Sequence, residues 1–167
     1  MGPMQENSHL TWPMTSISQL DTRIRSVIHD RGFSELSEVQ QQAIPHVLEG
    51  NHLLLIAPTG TGKTESAMIP VFNGMLNAKG TGFTTLYVTP LRALNRDILR
   101  RMEWWCQNLG LTSGVRHGDT SQAERRKQVL HPPDLLVTTP ETVQALFMGK
   151  RLRQHLQSVR YVIVDEI

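Results

Sequence analysis

Eight consecutive residues have the types and the spacing of a site that binds the phosphates of a nucleotide. They are Ala57-Pro58-Thr59-Gly60-Thr61-Gly62-Lys63-Thr64. The segment fits the P-loop pattern GxxxxGKS/T except that alanine replaces the first glycine, and it follows an apolar run at residues 53–56 that predicts a strand. Helical spacing begins directly after it, which is the context that the pattern requires. We predict a triphosphate cradle here; the alternative is a glycine-rich turn without a ligand.

Each residue type in this P-loop has a role in phosphate chemistry. Gly60 and Gly62 let the backbone turn so that successive N–H groups point at phosphate oxygens, and the N-terminus of the next helix adds partial positive charge. Lys63 supplies a mobile charge for the β and γ phosphates, and the Thr64 hydroxyl is a ligand for Mg²⁺. The predicted nucleotide-binding residues of the loop are Pro58, Thr59, Gly60, Thr61, Gly62, Lys63 and Thr64.

Two adjacent carboxylates, Asp165 and Glu166, follow another apolar run near the end of the chain. At a phosphate site such a pair suits two tasks, because Asp165 can hold Mg²⁺ while Glu166 polarises the attacking water. For the pair alone, the alternative is a solvated strand end. Together with the P-loop, it predicts triphosphate hydrolysis, with Lys63, Asp165 and Glu166 as catalytic residues and Thr64 and Asp165 as metal ligands.

Helical and strand patterns alternate along the chain. Helices are predicted at residues 16–32, 38–48, 64–78, 91–109 and 121–130 and from 139 onward, and strands at 53–56, 84–89, around Val115, 135–138 and 159–165. Pro45 should kink or break the second helix, Ser37 and Gln40 predict a capping box at its start, and Thr139 is the predicted N-cap of the last one. The alternation predicts an α/β fold with a mostly parallel sheet and helices on both faces. Ligands bind such sheets beyond the carboxyl ends of the strands.

The 167 residues have a formal net charge of +2, with the basic residues concentrated in three segments. The segments contain Arg92, Arg96, Arg100 and Arg101; Arg125, Arg126 and Lys127; and Lys150, Arg151 and Arg153. Guanidinium groups suit phosphate contacts, so the charge is compatible with a nucleic-acid partner, and solvated helix faces are the alternative for the second and third segments. Trp104 and Trp105 are predicted to be packing residues rather than base-stacking platforms.

The length fits one domain, in which residues 1–15 form a poorly ordered polar arm, residues 16–50 a helical region and residues 51–167 the nucleotide-binding part. Cys106 is the only cysteine, so no disulfide is expected within the chain, and the seven histidines have no spacing typical of metal ligands. No apolar run approaches the roughly 20 residues of a membrane span, and the start lacks a signal-peptide core, so we expect no membrane partner and a cytoplasmic location.

The motifs resemble those of superfamily 2 helicases over nearly the whole chain. Gln40-x-x-Ala43-Ile44-Pro45, with Phe33 upstream, is similar to the Q motif, and the P-loop is similar to motif I. Residues 88–94 resemble motif Ia, and Thr138-Thr139-Pro140-Glu141 resembles motif Ib. Val164-Asp165-Glu166-Ile167 resembles motif II. Within the superfamily, Thr89-Pro90-Leu91-Arg92-Ala93-Leu94-Asn95 and Arg116-His117-Gly118-Asp119-Thr120 resemble the Lhr (large helicase-related) proteins of archaea and bacteria.

This resemblance implies the N-terminal part of a first RecA-like P-loop NTPase domain, truncated after the motif II strand, that binds ATP with Mg²⁺. It implies that Gln40 reads the adenine and that Phe33 stacks on it; the alternatives are a surface glutamine and a core phenylalanine. Arg92, Gly118 and Thr139 match positions that hold the backbone of a single-stranded nucleic acid, with DNA favoured over RNA.

The resemblance further implies an ATP-dependent helicase or translocase motor. The alternatives are an ATP-switched clamp or remodeller that binds nucleic acid without unwinding it, and a small-molecule phosphotransferase. Hydrolysis would need arginines from a second RecA-like domain, so the isolated chain is expected to be nearly inactive. The strand after the motif II box would lie between the P-loop strand and the strand before Asp165, so we expect a gapped sheet with exposed apolar edges.

Overall fold

A computed structural model describes residues 17–33, 35–78 and 82–166. Its helices are α1 (Thr22–Asp30), α2 (Glu38–Leu48), α3 (Lys63–Met75), α4 (Arg96–Leu109), α5 (Gln122–Leu130), α6 (Pro140–Met148) and α7 (Lys150–Leu156), preceded by one 3-10 turn at Ile17–Gln19. Its strands are β1 (Thr85–Val88), β2 (Ser113–Arg116), β3 (Leu135–Thr138) and β4 (Tyr161–Val164). The predicted arm at residues 1–15 and the last motif II residue, Ile167, lie outside the described residues.

The four strands form one parallel sheet with the order β2-β3-β1-β4. Thr85 of β1 is in register with Leu135 on one side and Tyr161 on the other, so β1 and β3 are central strands. Both central strands are buried along their whole length, which explains why their sequences are continuous apolar runs rather than alternating ones. The carboxyl ends of all four strands lie at the same edge of the sheet. The predicted α/β fold with a parallel sheet is confirmed.

Helices cover both faces of the sheet. Tyr87 and Val137 point to one face, where they share a core with Phe72 of α3 and Trp105 of α4. Alternate strand residues point to the other face and pack with side chains of α6 and α7 in a second core, whose buried members are Phe83, Leu86, Val88, Leu136, Leu146 and Leu152. Within the described part of the chain, no helix combines the length and the apolar character that crossing a bilayer demands.

Residues 51–58 have no regular secondary structure, so the predicted strand at residues 53–56 is wrong. Leu54 and Ile56 are 83% and 86% exposed. A segment becomes a strand only when a neighbour pairs with its backbone groups, and no described strand lies beside this one. β4 is the edge strand, and its Val162 and Val164 are 58% and 55% exposed. The P-loop segment and β4 do not pair, and both expose apolar side chains, as expected. The sheet itself is continuous rather than gapped, because the P-loop segment forms no strand.

Two helices begin later than the sequence pattern predicts, because polar side chains cap them. α4 begins at Arg96 rather than residue 91, since the Asn95 side chain accepts hydrogen bonds from the N–H groups of Asp97 and Ile98. Residues 91–93 before it form a turn instead. α1 begins at Thr22 rather than residue 16, with Asp21 as the N-cap.

The sequence predicts a kink or a break at Pro45, and helix α2 continues through this proline, so it does not break there. Pro45 lies close to the C-terminal end of the helix, where its missing N–H removes only one backbone hydrogen bond. The next turn is intact, since the Glu49 N–H donates to the Pro45 carbonyl. At the other end of α2, the predicted capping box between Ser37 and Gln40 is confirmed.

Cys106 of α4 is buried. This burial, and to a smaller extent the negative charge of the nearby Asp134, raises the pKa of its thiol to about 12. The folded protein therefore keeps this proton at a pH where the unfolded chain has lost it, so the free energy of unfolding falls as pH rises above about 9. We expect the native thiol to resist an aromatic disulfide reagent at about pH 8, where the urea-unfolded chain releases one equivalent of chromophore. A rapid reaction of the native protein would contradict this.

Candidate nucleotide and nucleic-acid site

The P-loop bends through two glycines and leads directly into α3. Gly60 and Gly62 have φ angles of 83°, a left-handed conformation that glycine adopts without strain. Gly62 is the N-cap residue of α3, and no side chain caps the helix there. The N–H groups of the first turn are therefore available to an anion, as the sequence predicts for a phosphate cradle.

Lys63 is folded back over the P-loop. Its Nζ donates a hydrogen bond of 2.6 Å to the Ala57 carbonyl, and the Thr61 hydroxyl donates one of 2.8 Å to the Pro58 carbonyl. Because an ammonium group has three donors, this bond leaves Lys63 two for phosphate oxygens. The two bonds hold the loop curved around the lysine amine.

The start of α2 contacts the P-loop through two side chains. The Ser37 hydroxyl donates to the Thr61 carbonyl at 3.3 Å. Gln40 is buried, its Oε1 accepts the Ser37 N–H at 3.0 Å, and its Nε2 lies beside Gly62, where an added Cβ would come within 2.9 Å of it. The surface-glutamine alternative is thus wrong. The contact between Gln40 and adenine stays a prediction, and because the capping box occupies the amide oxygen, it would use the amide N–H groups.

Phe33 exposes 42% of its surface, so the core-packing alternative for this residue is wrong. The guanidinium of Arg31 lies 6.0 Å from its ring centroid. The same guanidinium lies 4.7 Å from the ring centroid of Trp104. Trp105 beside it is fully buried, which confirms the packing role predicted for this tryptophan pair. Stacking of Phe33 on adenine stays a prediction.

A nearly buried carboxylate, Glu65, lies one residue after Thr64 in the first turn of α3. Its Oε1 is 3.9 Å from the Arg31 guanidinium and 3.6 Å from Nε of Arg101. Glu65 therefore joins α3 to both α1 and α4. Sequence reasoning missed this residue; the available signal was an acidic side chain in the first turn of a mostly apolar helix.

Asp165 is held by a tyrosine from the neighbouring strand. The hydroxyl of Tyr87 donates a hydrogen bond to Oδ2 of Asp165, and burial together with this bond raises the pKa of Tyr87. The positive charge of Arg101 also acts on this hydroxyl, in the opposite direction. Glu65 thus pairs with Arg101, and Tyr87 separately holds Asp165, while the charge of Arg101 acts on the Tyr87 hydroxyl without a hydrogen bond between them.

The residues predicted to hold Mg²⁺ offer suitable oxygen donors. The Thr64 hydroxyl makes no hydrogen bond to the residues that the structure describes, and only one Asp165 oxygen, Oδ2, accepts the bond from Tyr87. The described residues include no cluster of three or more potential metal-ligating side chains. Mg²⁺ commonly binds one or two protein oxygens together with water and substrate phosphates, so this sparse donor set fits it.

Next to Asp165, the backbone of Glu166 is left-handed, with φ of 55°, which is uncommon outside glycine.

Replacing Tyr87 by phenylalanine is expected to weaken Mg²⁺ binding, so that a higher Mg²⁺ concentration is needed for nucleotide binding. The change removes the bond that orients Asp165, and loss of such a second-layer contact typically costs about 10- to 100-fold in metal affinity. The measurement is the Mg²⁺ concentration that half-saturates binding of a fluorescent ATP analogue. Tyr161→Phe is the matched control, since it changes the other tyrosine of the chain. If both variants titrate like the unmodified protein, Tyr87 does not position the metal ligand.

The three residues predicted to hold nucleic acid follow the carboxyl ends of adjacent strands. Arg92 is exposed in the turn after β1, and Gly118 is exposed in the loop after β2. Thr139 follows β3 but is buried, and its Oγ1 accepts the Thr142 N–H as the N-cap of α6, as predicted. The fold therefore brings all three segments to one edge. A phosphate contact at Thr139 would be made by the helix N-terminus rather than by this side chain.

Arg125 of α5 holds the loop at residues 117–120. Its Nε donates to the Thr120 carbonyl at 2.8 Å, and its Nη2 donates to the carbonyls of His117 at 3.0 Å and Gly118 at 2.8 Å. Three bonds from one planar guanidinium fix the shape of this loop. Sequence reasoning singled out Arg125 only as one member of a basic segment.

Comparison with known proteins agrees with this geometry. The sequence profile of the DEAD/DEAH box helicase family matches residues 37–167. The ATP-dependent helicase Lhr-Core of Methanothermobacter thermautotrophicus is 34% identical over 86% of this chain and 19% of its own length.

Two solved structures are similar in fold. The Mycobacterium smegmatis helicase Lhr bound to ssDNA and AMP-PNP has a TM-score of 0.76 and 34% identity, covering 87% of this chain and 20% of that one. The DUF1998 helicase MrfA bound to DNA and AMPPNP has a TM-score of 0.79 and 26% identity, covering 92% and 22%. The chain spans about a fifth of the length of these relatives. With the P-loop, the acidic pair and the parallel sheet, these matches show that the chain belongs to the DEAD/DEAH box helicase family and confirm its resemblance to Lhr helicases.

Proposed function

We propose that this chain is the first motor domain of an ATP-dependent nucleic-acid helicase or translocase. The observation that carries the proposal is the uncapped N-terminus of α3 after the P-loop, together with the hydrogen bond by which Tyr87 holds Asp165 at the carboxyl end of β4. A triphosphate bound at the N-terminus of α3 would therefore lie on the side of the sheet where Asp165 ends its strand.

The residues of the site have separate tasks in ATP hydrolysis. The P-loop N–H groups and Lys63 bind and orient the phosphates, while Gln40 and Phe33 hold the adenine. Thr64 and Asp165 would hold Mg²⁺, which would supply positive charge to offset the charge that develops on the phosphates during hydrolysis. Glu166 accepts a hydrogen bond from the attacking water and orients it toward the γ-phosphorus.

Single-stranded nucleic acid would bind at the edge formed by Arg92, the loop around Gly118 and the start of α6. Helix N-termini and exposed N–H groups bind the backbone without reading its sequence. DNA is favoured over RNA because the Lhr and MrfA structures that resemble this chain hold DNA. Cycles of ATP binding and hydrolysis would then close and open this domain against a second RecA-like domain and move the strand.

The test compares these 167 residues alone with a longer protein that includes a second RecA-like domain. We expect the chain alone to bind ATP weakly and hydrolyse almost none, and the longer protein to hydrolyse ATP and displace a DNA strand. Binding of single-stranded DNA should weaken as salt is added. If the chain alone hydrolyses ATP at a rate close to that of the longer protein, the second domain is not needed. ATP hydrolysis without strand displacement would instead support a clamp or remodeller.

A further inference from the structure

A pocket of about 460 Å³ between α5 and α7 is lined by four arginines. They are Arg116, Arg125, Arg126 and Arg151, together with Gln122 and two apolar side chains. No carboxylate is among the lining residues. Two of the basic segments noted in the sequence, one on each helix, thus meet at one place. We call this feature the arginine pocket.

Arg116 is a buried cation without a carboxylate partner among the described residues. It ends β2, is 8% exposed, and donates from Nη1 to Oε1 of Gln128 at 3.3 Å and to the Arg125 carbonyl at 3.4 Å. Burial, followed by the charge of Arg125, lowers the pKa of Arg116. A buried charge is costly unless an opposite charge compensates it, so this position favours an anion nearby.

The other three arginines of the pocket differ in whether their guanidinium groups already bind other residues of the protein. Arg125 directs its guanidinium to the carbonyls of the 117–120 loop. Arg126 and Arg151 are exposed and form no ion pair within the described part of the chain. Arg126 and Arg151 are therefore available to bind an anion in the pocket that the buried Arg116 also lines. Leu130 of the lining is 64% exposed and offers an apolar surface beside them.

We propose that the arginine pocket binds a backbone phosphate of the nucleic-acid strand that lies across the 117–120 loop. Continuity favours this ligand, because Arg116 directly precedes the loop and Arg125 both lines the pocket and holds the loop. A pocket of this size also exceeds what one free phosphate ion fills, and its apolar wall suits a sugar or base. The assignment rests on the proposed nucleic-acid function and adds a contact away from Arg92 and Thr139.

The test is the salt dependence of single-stranded DNA binding by the purified protein. Each phosphate contact contributes about 0.7 to the slope of log affinity against log salt for a single strand. We expect Arg126→Gln with Arg151→Gln to make the slope shallower by about 0.7, the contribution of one phosphate, and to weaken binding several-fold at low salt. Both side chains are exposed and form no ion pair, so the double variant should keep the melting temperature of the unmodified protein.

Arg153→Gln is the matched control, since Arg153 is exposed on the same helix and does not line the pocket. It should leave the slope nearly unchanged. If the double variant keeps the slope of the control while Arg92→Gln makes it shallower, the pocket proposal is overturned and the proposed function stands. If the unmodified protein shows no salt-dependent DNA binding, the proposed function fails. Inorganic phosphate that protects the protein thermally through Arg126 and Arg151, without any change in the DNA slope, would also overturn the pocket proposal.

Discussion

Lys63→Ala is expected to reduce ATP hydrolysis about 100- to 1000-fold in a protein that includes the second motor domain. Loss of one preorganised charge-stabilising donor at a reacting centre typically costs this much. The lysine amine already lies inside the curve of the P-loop, 2.6 Å from the Ala57 carbonyl, so its loss removes a donor that needs little reorganisation to reach phosphate.

The measurement is the steady-state rate of phosphate release at saturating ATP and nucleic acid. Arg160→Ala is the control, because Arg160 is an exposed cation at the start of β4, away from the P-loop. Thermal unfolding should be nearly unchanged in both variants, since Lys63 makes one hydrogen bond to an accessible loop. A Lys63→Ala protein that retains more than about a tenth of the rate would contradict the role of this lysine.

Glu65→Ala is expected to destabilise the protein by about 3–5 kcal/mol, which lowers the melting temperature on the order of 10 °C. The Glu65 side chain is 10% exposed and is the carboxylate within 4 Å of both Arg31 and Arg101. Its removal leaves Arg31 without a carboxylate partner among the described residues and Arg101 with only the exposed Asp97, and the half-buried Arg31 cannot move into water without leaving Trp104. The loss therefore acts on α1, α3 and α4 together.

Asp97→Ala is the matched control for Glu65→Ala. Asp97 pairs with the same Arg101 at 3.9 Å, but its side chain is 87% exposed. An exposed pair of this kind contributes about 0–1 kcal/mol, so the control should melt within a few degrees of the unmodified protein. Equal melting temperatures for the two variants would show that burial of Glu65 does not set its contribution.

Much of the site could be predicted because its motifs are local. The P-loop is eight consecutive residues, and Asp165 and Glu166 are adjacent, so their chemistry can be read without knowing the fold. Confirmation of the Ser37 and Gln40 capping box has the same cause, since the two residues are one helical turn apart.

The residues that sequence reasoning missed act across long separations in the chain. Tyr87 reaches Asp165 across 78 positions, and this contact exists only because β1 and β4 are neighbours in the sheet. Nothing in a four-residue apolar strand distinguishes its tyrosine from a packing residue. Glu65 was missed for the same reason, because its partners Arg31 and Arg101 lie in distant parts of the chain.

The error at residues 53–56 has a different cause. An apolar run of residues with high β propensity indicates side chains suited to burial in a sheet. A strand also needs a neighbouring strand for its backbone groups, and the sequence pattern does not show whether one is present. The start of helix α4 could have been placed from the sequence, since asparagine is a preferred N-cap residue and Asp97 puts an acidic side chain in the first turn.

The open edge of β4 has a consequence for handling the protein in solution. Its backbone groups on one side lack a neighbouring strand in the described sheet, and Val162 and Val164 lie along it unprotected by any lysine or proline. Edges of this kind template pairing with other copies of the same chain. Preparations of these residues alone will therefore tend to self-associate as concentration rises, and a lysine in place of Val162 should keep them dispersed.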